Sequence, residues 1–582
     1  MNKTHALISS CLAIALLIPN VQANQADSLI PAVSDIPSQS HQMALMIQRF
    51  QADLESTEHT HDIVAGKGRE AALRALYQGW LQLLNELNYS KLGLEDQIDY
   101  ALFKRTLNYK ITQLDFESLR NQQALELLPG IAALIELAEQ RRALQPFDPK
   151  NAETLLDNAY QLLKKQQTAL SKKNTASPIV ALRASKLLSA FRTNLKDWHT
   201  FYDGYTPAYK NHALKAYESL DKHMESYGLF LRNDIAGASN PETIIGDPVG
   251  RDAIEAALRL EMIPYSPEQI VQLAEIELAW SQAEMQKAAK QMGFDDWHQA
   301  LEKIKRDGPA IGDQPQYAKQ LAEEAVAFIE QRQLVTIPEL AKRDWRMTML
   351  SPEYQLQAPF FLGGEDVWVA YPHDSMAEEK QAMTLRGNNR YFSRAVVHHE
   401  LIPGHHLQYF YNTRYNPQRE LFDTPFWSEG WALYWEFLLY QQGFALTPEQ
   451  KLGMLFWRSH RAARILFSLS FHMGTMTPQQ AIDLLVTRVG HERENAAAEV
   501  RRSFAGDYSP IYQAAYMLGG LQFWALRQEL VDSGKMTDME FHDAILKGNQ
   551  MPVSVVRDRL KQQSPNPDLP AQWYFYPAID KK

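Results

Sequence analysis

The chain has 582 residues, and its 69 aspartate and glutamate residues outnumber 59 lysine and arginine residues, giving a net charge of −10. This mildly acidic balance argues against nucleic acid or an anionic lipid surface as the main partner. The length allows a large hydrophobic core and more than one lobe.

Residues 1–23 are predicted to be an export signal. Lys3 supplies the positive charge, and an apolar stretch follows at 6–19. Val21-Gln22-Ala23 then has small or apolar residues at the positions that a signal peptidase recognises before its cleavage site. The stretch is short for a membrane-spanning helix, although a retained membrane anchor is one alternative. The mature protein is therefore expected in the periplasm or outside the cell, without a membrane span.

Cys11 is the only cysteine of the chain and lies inside this apolar stretch. Lipid modification of Cys11 is a second alternative to simple cleavage. Cleavage after Ala23 would leave a chain with no disulfide, no cysteine nucleophile and no cysteine metal ligand. Any bound metal ion would then be held by His, Asp or Glu.

Long helical patterns dominate residues 40–333. Apolar residues recur there at intervals of three and four, as amphipathic helices require. Asn240-Pro241 and Ser266-Pro267 each place proline after a capping residue, which predicts the start of a helix. The clearest helical segments are 68–84, 122–143, 152–163 and 267–292.

The pattern changes at residues 336–374. The segments 345–350 and 367–371 are short, β-prone and flanked by Pro or Gly, which predicts a small pair of strands. Helical patterns then return. The overall prediction is a mostly α protein with a deep cleft, an N-terminal helical lobe at 24–335 and a C-terminal helical lobe at 336–582. The small strand pair would lie just before a helix that carries candidate metal ligands.

The segment His399-Glu400-Leu401-Ile402-Pro403-Gly404-His405-His406 contains the residue types of a metal site. Its first two residues resemble the start of the motif His-Glu-x-x-His, in which two histidines bind one zinc ion and Glu is the general base. The spacing differs from that motif. On a regular helix, His399 and His405 would point about 120° apart, too far for one metal ion.

Pro403 and Gly404 bear on this geometry because they interrupt a regular helix. A bulge or wide turn is expected there, and it would bring His405 back towards His399. His406 is the alternative, since it lies two turns from His399 and faces the same side without any distortion. His405 is favoured as the second ligand.

Glu429 offers a third ligand, because a catalytic zinc ion takes three protein ligands and keeps one open position. It lies in a strongly apolar segment, where an unpaired carboxylate would be costly. Glu436 lies two turns further along the same face and could orient a histidine. His398 is a further candidate beside the ligands. A salt bridge or a hydrogen-bonded core cluster is the alternative explanation of these residues.

The sequences of residues 399–408 and 429–434 resemble the bacterial domain-of-unknown-function family 885. Members are typically exported or lipoprotein-like helical proteins and are regarded as zinc peptidases. The resemblance implies one zinc ion per chain, with His399, His405 and Glu429 as ligands and Glu400 as the base.

Residues 510–519 resemble a third stretch of the family and place Tyr516 on a tyrosine that would stabilise an oxyanion. The chain departs from the family pattern at 511–513. Arg502 matches a family arginine, although Ser503 follows it where tyrosine is usual. For Tyr516, a core tyrosine bonded to the backbone is the alternative.

The combined prediction is metal-assisted hydrolysis of a peptide or small amide substrate. Glu400 would take a proton and pass it to the leaving amine, and Tyr516, with His491 or Arg502, would stabilise the oxyanion. One alternative is a non-catalytic periplasmic binding or scaffold protein, and another is a metal-dependent amidase or esterase acting on non-peptide substrates. No feature of the sequence specifies an oligomeric state.

Overall fold

The computed structural model describes residues 41–579, apart from 241, 356, 357, 359, 365, 505–507 and 569. The predicted export signal, its cleavage site after Ala23 and Cys11 lie outside the described residues. The described part is mostly α-helical, as predicted.

The elements fall into three groups in chain order. The N-terminal helices are α1 (Gln42–Thr60), α2 (Lys67–Glu86), α3 (Leu94–Leu125), α4 (Ile131–Arg142), α5 (Pro149–Lys172), α6 (Pro178–Tyr202), α7 (Pro207–His212), α8 (Leu214–Phe230), α9 (Arg251–Leu260), α10 (Pro267–Gln291), α11 (Trp297–Lys305) and α12 (Gln314–Gln331). A region with two strands contains α13 (Ala341–Asp344), β1 (Arg346–Met349), α14 (Pro352–Gln355) and β2 (Asp366–Val369). The C-terminal helices are α15 (Glu378–Gly387), α16 (Arg390–Glu400), α17 (His405–Asn412), α18 (Pro425–Gln441), α19 (Pro448–His472), α20 (Pro478–Leu484), α21 (Arg493–Phe504), α22 (Tyr512–Leu530), α23 (Asp538–Gly548) and α24 (Val553–Leu560).

Three of the predicted helical segments correspond to single helices: 68–84 to α2, 152–163 to α5 and 267–292 to α10. The predicted start at Ser266 is confirmed. Its side chain accepts a hydrogen bond from the backbone of Gln269, and the Gln269 side chain accepts one from the backbone of Ser266. This reciprocal capping satisfies backbone donors that a helix start leaves open.

Two helix predictions were wrong in detail. The segment 122–143 is not continuous, because the chain turns at Gly130, where φ is +91°, and α4 begins only after it. The predicted start at Asn240 is not a helix. The Asn240 side chain accepts a hydrogen bond from the backbone of Glu242, at 2.9 Å, which closes a local turn. The next helix begins at Arg251.

The predicted pair of strands is confirmed. The strands β1 and β2 pair in parallel, with Arg346 opposite Asp366. Parallel strands need a crossover connection, and this one contains α14. An antiparallel bridge between Leu362 and Trp368 covers the other edge of β2.

The buried apolar residues form several clusters. The largest runs from Met43 on α1 to Val556 on α24, so both predicted lobes contribute to it. A second cluster is confined to residues between Ile63 and Ala236 and holds α4, α5, α6 and α8 together. The lobe boundary near residue 335 stays a prediction.

Helices α18 and α22 cross at an unusually short distance. A Cβ atom on Gly430 would lie 2.6 Å from the Cα atom of Gly519, closer than side-chain atoms are tolerated. Two glycines at the crossing point let the backbones touch. This close approach places Glu429 of α18 in contact with α22.

We expect Gly430→Ala to separate these helices and to lower the free energy of unfolding by about 1–3 kcal/mol, as overpacking does in a dense core. Calorimetric melting would measure the loss. Gly79→Ala is the matched control, because Gly79 lies within α2 and a Cβ there meets only open space. That change should be neutral or stabilising by about 0.5–1 kcal/mol. Equal melting temperatures for Gly430→Ala and the unmodified protein would contradict the expectation.

Glu261 is a buried carboxyl group at the end of α9, and its Oε2 accepts a hydrogen bond from the hydroxyl of Thr424, at 2.6 Å. Burial raises the pKa of Glu261 to about 8, and the nearby Asp423 carboxylate adds to the effect. The folded protein therefore binds this proton more tightly than the unfolded chain.

A raised carboxyl pKa stabilises the fold fully below the unfolded value, near 4.5, and this contribution is lost as the pH rises through about 8. Glu261→Gln keeps an acceptor for Thr424 and carries no charge. The variant should match the unmodified protein near pH 4.5 and exceed it at pH 9 by a few kcal/mol in the free energy of unfolding. Urea titrations at the two pH values measure this, and an unchanged difference between them would show that Glu261 does not titrate as described.

Candidate metal centre

The two histidines of the motif lie on different helices. Helix α16 ends at Glu400 and α17 begins at His405, so the chain turns between them and no regular helix connects His399 to His405. The Ile402–Pro403 peptide bond is cis. The predicted interruption at Pro403 and Gly404 is therefore present, as a full break between two helices.

Gly404 is required by this break. Its backbone N–H donates to the carbonyl of His398, at 3.0 Å, and a Cβ atom at this position would collide with the carbonyl oxygen of His399. The indole N–H of Trp431 on α18 donates to the carbonyl of Pro403, at 2.8 Å. The turn between α16 and α17 is thus fixed by a hydrogen bond to α16 and by one from α18.

His399, His405 and Glu429 meet at one point. One candidate ligand atom from each lies within 4.8 Å of the other two. His405 Nε2 is 3.1 Å from Glu429 Oε2, and His399 Nε2 is 3.5 Å from the same oxygen. His399 and Glu429 are buried, and His405 is partly buried. This group could hold a metal ion.

Further hydrogen bonds fix the orientation of the two histidines. His399 Nδ1 donates to Glu436 Oε1, at 2.7 Å, and His405 Nδ1 is 3.2 Å from Gln408 Oε1. Each imidazole therefore has one nitrogen bound from behind and presents Nε2 to Glu429. Hydrogen bonds of this kind orient the histidine ligands of metal sites.

The second oxygen of Glu429 is bound by two tyrosines of α22. Tyr512 and Tyr516 both donate to Glu429 Oε1, the latter at 2.7 Å. They lie one turn apart and so face the same side of the helix. The Glu429 carboxylate consequently presents Oε1 to the tyrosines and Oε2 to the histidines.

The charges of the group are coupled. Burial opposes ionisation of Glu429, but His405 and His399 hold the pKa of this carboxyl well below its usual range. Burial likewise lowers the pKa of His405, and the Glu429 carboxylate outweighs it, raising the pKa to about 9. The two groups form an ion pair whose carboxylate is buried, and a metal cation would take the place of the imidazole proton.

Glu400, the last residue of α16, lies beside this group and is 8% exposed. Burial raises the pKa of Glu400 above its usual value, while His399 and His405 pull it down. The backbone at Gly363 packs directly on Glu400, so closely that a Cβ would contact its carbonyl oxygen at 2.8 Å. Gly363, in the crossover between β1 and β2, thus forms part of one wall of the site.

A cavity of about 610 Å³ opens on these residues. This is the predicted cleft, and it is large enough for a small ligand or a few residues of a peptide. The lining includes His399, Glu400, His405, Glu429, Tyr512, Tyr516, Arg461, Arg464, Glu499 and Arg502.

Three candidates from the sequence lie away from the centre. His406 donates from Nε2 to the carbonyl of Ala341, at 2.8 Å, and therefore points away from the metal group. His398 bonds from Nδ1 to the carbonyl of Arg394, and burial lowers its pKa to about 4. His491 pairs with His460, at 2.8 Å, and is not among the described residues that line the cavity.

Sequence reasoning did not assign a role to Tyr512, Arg461 or Arg464, which all line the cavity. The spacing of Tyr512 and Tyr516 is a signal that could have found the first, because residues four apart share a helix face. The two arginines lie on the long apolar helix α19, where buried charges are unusual without a partner.

Solved structures that resemble this fold include two bacterial proteins. One is described as "a putative lipoprotein of unknown function from Shewanella oneidensis", with a TM-score of 0.63, 17% identity, and coverage of 90% of this chain and 100% of that chain. The other is "the putative lipoprotein from Colwellia psychrerythraea", with a TM-score of 0.58, 17% identity, and coverage of 90% and 98%. At this identity the likeness concerns the fold.

A comparison with curated proteins gave no match. Among the described residues, no helix has the length and apolar character needed to cross a bilayer. The model of one family, described as "Bacterial protein of unknown function (DUF885)", matches residues 55–560. That match spans most of the chain, and the chain therefore belongs to the DUF885 family.

Proposed function

We propose that this protein is a zinc-dependent hydrolase that cleaves peptide bonds. The observation that carries the proposal is the convergence of His399 Nε2, His405 Nε2 and Glu429 Oε2 beside Glu400, at the wall of a cavity. Three protein ligands and a neighbouring carboxylate are the components of a catalytic zinc site.

The residues fit zinc better than a hard cation. Two imidazoles and one carboxylate form a borderline donor set, whereas Ca²⁺ and Mg²⁺ prefer oxygen donors alone. Glu436 and Gln408 supply the outer hydrogen bonds that zinc-binding histidines usually have. One ion per chain is proposed. A bound zinc ion would supply Lewis acidity, lowering the pKa of water to about 7 and polarising a carbonyl.

Glu400 is the proposed general base. It would take one proton from the attacking water and pass it to the leaving amine, while the carbon–nitrogen bond breaks and the hydroxide joins the acyl carbon. Burial keeps the pKa of Glu400 above its usual value, which brings a carboxyl group closer to the range in which it can both accept and return a proton.

Tyr516 is the proposed donor to the oxyanion, with Tyr512 beside it. Both hydroxyls already donate to a carboxylate oxygen in the cavity wall, and so both point at negative charge near the reacting centre. Burial raises the pKa of each hydroxyl above its usual value, and this keeps both tyrosines protonated and able to donate.

Export is part of the proposal. The charged start, the apolar stretch at 6–19 and the small residues before position 24 have the order of a signal peptide. The two similar structures are each described as a "putative lipoprotein". The substrate would then be a peptide outside the cytoplasm.

Elemental analysis of the purified protein should find about one zinc ion per chain. Glu400→Gln should keep the zinc and reduce cleavage of a mixed peptide library by about 10²–10⁴-fold, because only the base is removed. His399→Ala should lose the zinc and the activity together.

His406→Ala is the matched control, because His406 is a neighbouring histidine that faces Ala341 instead of the cavity. It should keep the zinc ion. A folded protein without zinc, even after zinc is supplied, would overturn the proposal in favour of a binding or scaffold protein. Bound zinc without peptide cleavage would direct the search to other amides or esters.

Tyr516→Phe and Tyr512→Phe should each lower kcat, by about 10–10³-fold for the principal oxyanion donor, with the zinc content unchanged. Tyr434→Phe is the control. Its hydroxyl is buried in the same way but bonds to His542, at 2.7 Å, outside the cavity. This variant should keep full activity and lose about 1 kcal/mol of stability. Full activity in both cavity variants would exclude a role for these hydroxyls in the reaction.

A further inference from the structure

Three arginines line the cavity next to the metal group. Arg461 and Arg464 lie one turn apart on α19 and are 5% and 3% exposed. Arg502 on α21 is close to them, with 16% of its side chain exposed. Glu499, also on α21, is the carboxylate that lies among them.

The hydrogen bonds of this cluster leave donors unused. Arg464 Nε donates to Glu499 Oε1, at 2.7 Å, and Arg502 lies 3.4 Å from the other oxygen of Glu499. The carboxylate of Glu499 is therefore shared by two arginines. Nη1 of Arg464 and Nε of Arg502 are buried without a hydrogen-bond partner in the described part of the chain.

The positive charge of Arg461 has even fewer partners. Its Nε is buried and unpartnered, and its nearest carboxylate is that of Glu436, at 3.8 Å. The same oxygen of Glu436 already accepts the hydrogen bond of His399. Burial and the neighbouring Arg464 lower the pKa of Arg461 below its usual value. This guanidinium group is held in the cavity wall without a dedicated counterion.

Arg464 and Arg502 share the Glu499 carboxylate. Arg461 is only within 3.8 Å of a Glu436 oxygen that already binds His399, so this arrangement is unstable unless another anion completes it. A buried charge costs several kcal/mol when it is not paired, and buried donors normally find an acceptor. Guanidinium groups are suited to planar oxyanions, which they bind through two parallel hydrogen bonds. The cluster therefore has the composition of a carboxylate-binding site.

The position of the cluster limits what can bind there. The guanidinium carbons of Arg461 and Arg464 lie 4.6 Å and 4.5 Å from the centre of the Tyr516 ring, whose hydroxyl donates to Glu429. Arg461 and Arg464 are thus within about 10 Å of the Glu429 carboxylate, a distance that at most about three residues of extended peptide can span. Arg461 and Arg464 are almost fully buried, so a peptide that places its terminal carboxylate between them would end at the cavity wall.

We propose that Arg461, Arg464 and Arg502 bind the C-terminal carboxylate of the substrate, which makes the protein a carboxypeptidase that releases one to about three residues. This inference rests on the proposed hydrolase function for the cleavage step. The binding of the carboxylate itself is independent of catalysis. The two can therefore be tested separately.

Binding is measured by calorimetry on the Glu400→Gln protein, which keeps the ligand residues and should not consume the peptide. The probes are trialanine, its C-terminal amide, and an amidated tripeptide that ends in glutamate. Trialanine should bind at least about 10-fold more tightly than either amide, since only it presents a terminal carboxylate. Equal affinity for trialanine and its amide, or for trialanine and the glutamate peptide, would overturn the proposal.

Arg461→Met and Arg502→Met, each made in the Glu400→Gln protein, should reduce the preference for the acid to less than about 3-fold. Arg502 is partly exposed, so its replacement tests the site even if a change at Arg461 prevents folding. Arg458→Met is the matched control. Arg458 lies on the same helix but pairs with Glu277, and it does not line the cavity. A preference for the acid that survives both variants would also overturn the proposal.

Cleavage by the unmodified protein separates the two proposals. Mass spectrometry of a longer peptide and of its amide should show release of a short C-terminal fragment from the free acid alone. If trialanine is preferred in binding but no peptide is cleaved, the carboxylate site stands and the hydrolase function is wrong. If the acid and the amide are cleaved equally and at internal bonds, the hydrolase function stands and the carboxylate site is wrong.

Discussion

The buried carboxylate of Glu429 is the interaction on which the centre of this protein depends. One of its oxygens faces two imidazoles and the other accepts hydrogen bonds from two tyrosines. A carboxylate that is 6% exposed is stable as an anion only with such partners. The chain brings them from three separate segments. The ionised Glu429 side chain is therefore stable only when α16, α17, α18 and α22 keep their relative positions.

Two backbone features make that meeting possible. The first is the break in the helix between Glu400 and His405. A continuous helix would point His399 and His405 in different directions, and the break allows them to meet. Gly430 lets α18 lie directly on α22, which places the tyrosine hydroxyls at the Glu429 oxygen. Both features depend on glycine where a side chain would have no space. The chemistry of the centre thus rests on positions that carry no functional group.

Much of this arrangement could be predicted from the sequence. Helical periodicity predicted the mostly α fold, and the Pro403-Gly404 pair predicted a bulge or wide turn where the structure has a full break between two helices. Contacts between distant helices could not be predicted in the same way. Nothing in the local pattern of α19 shows that Arg461 faces the cavity while Arg458 faces Glu277, since both are arginines on one apolar helix. The direction of a side chain depends on how helices cross, which periodicity alone leaves open.

The burial of the arginine cluster has a consequence for the conditions under which it can work. Ions in solution screen exposed charges over about 8 Å at physiological ionic strength, but they act weakly on charges inside a protein. Arg461 and Arg464 are almost entirely enclosed. Screening by dissolved salt would therefore weaken the attraction of an anion bound between them less than it weakens an exposed ion pair. If the protein works outside the cytoplasm, as proposed, a change in ionic strength there would alter this electrostatic attraction less than it would at an exposed site.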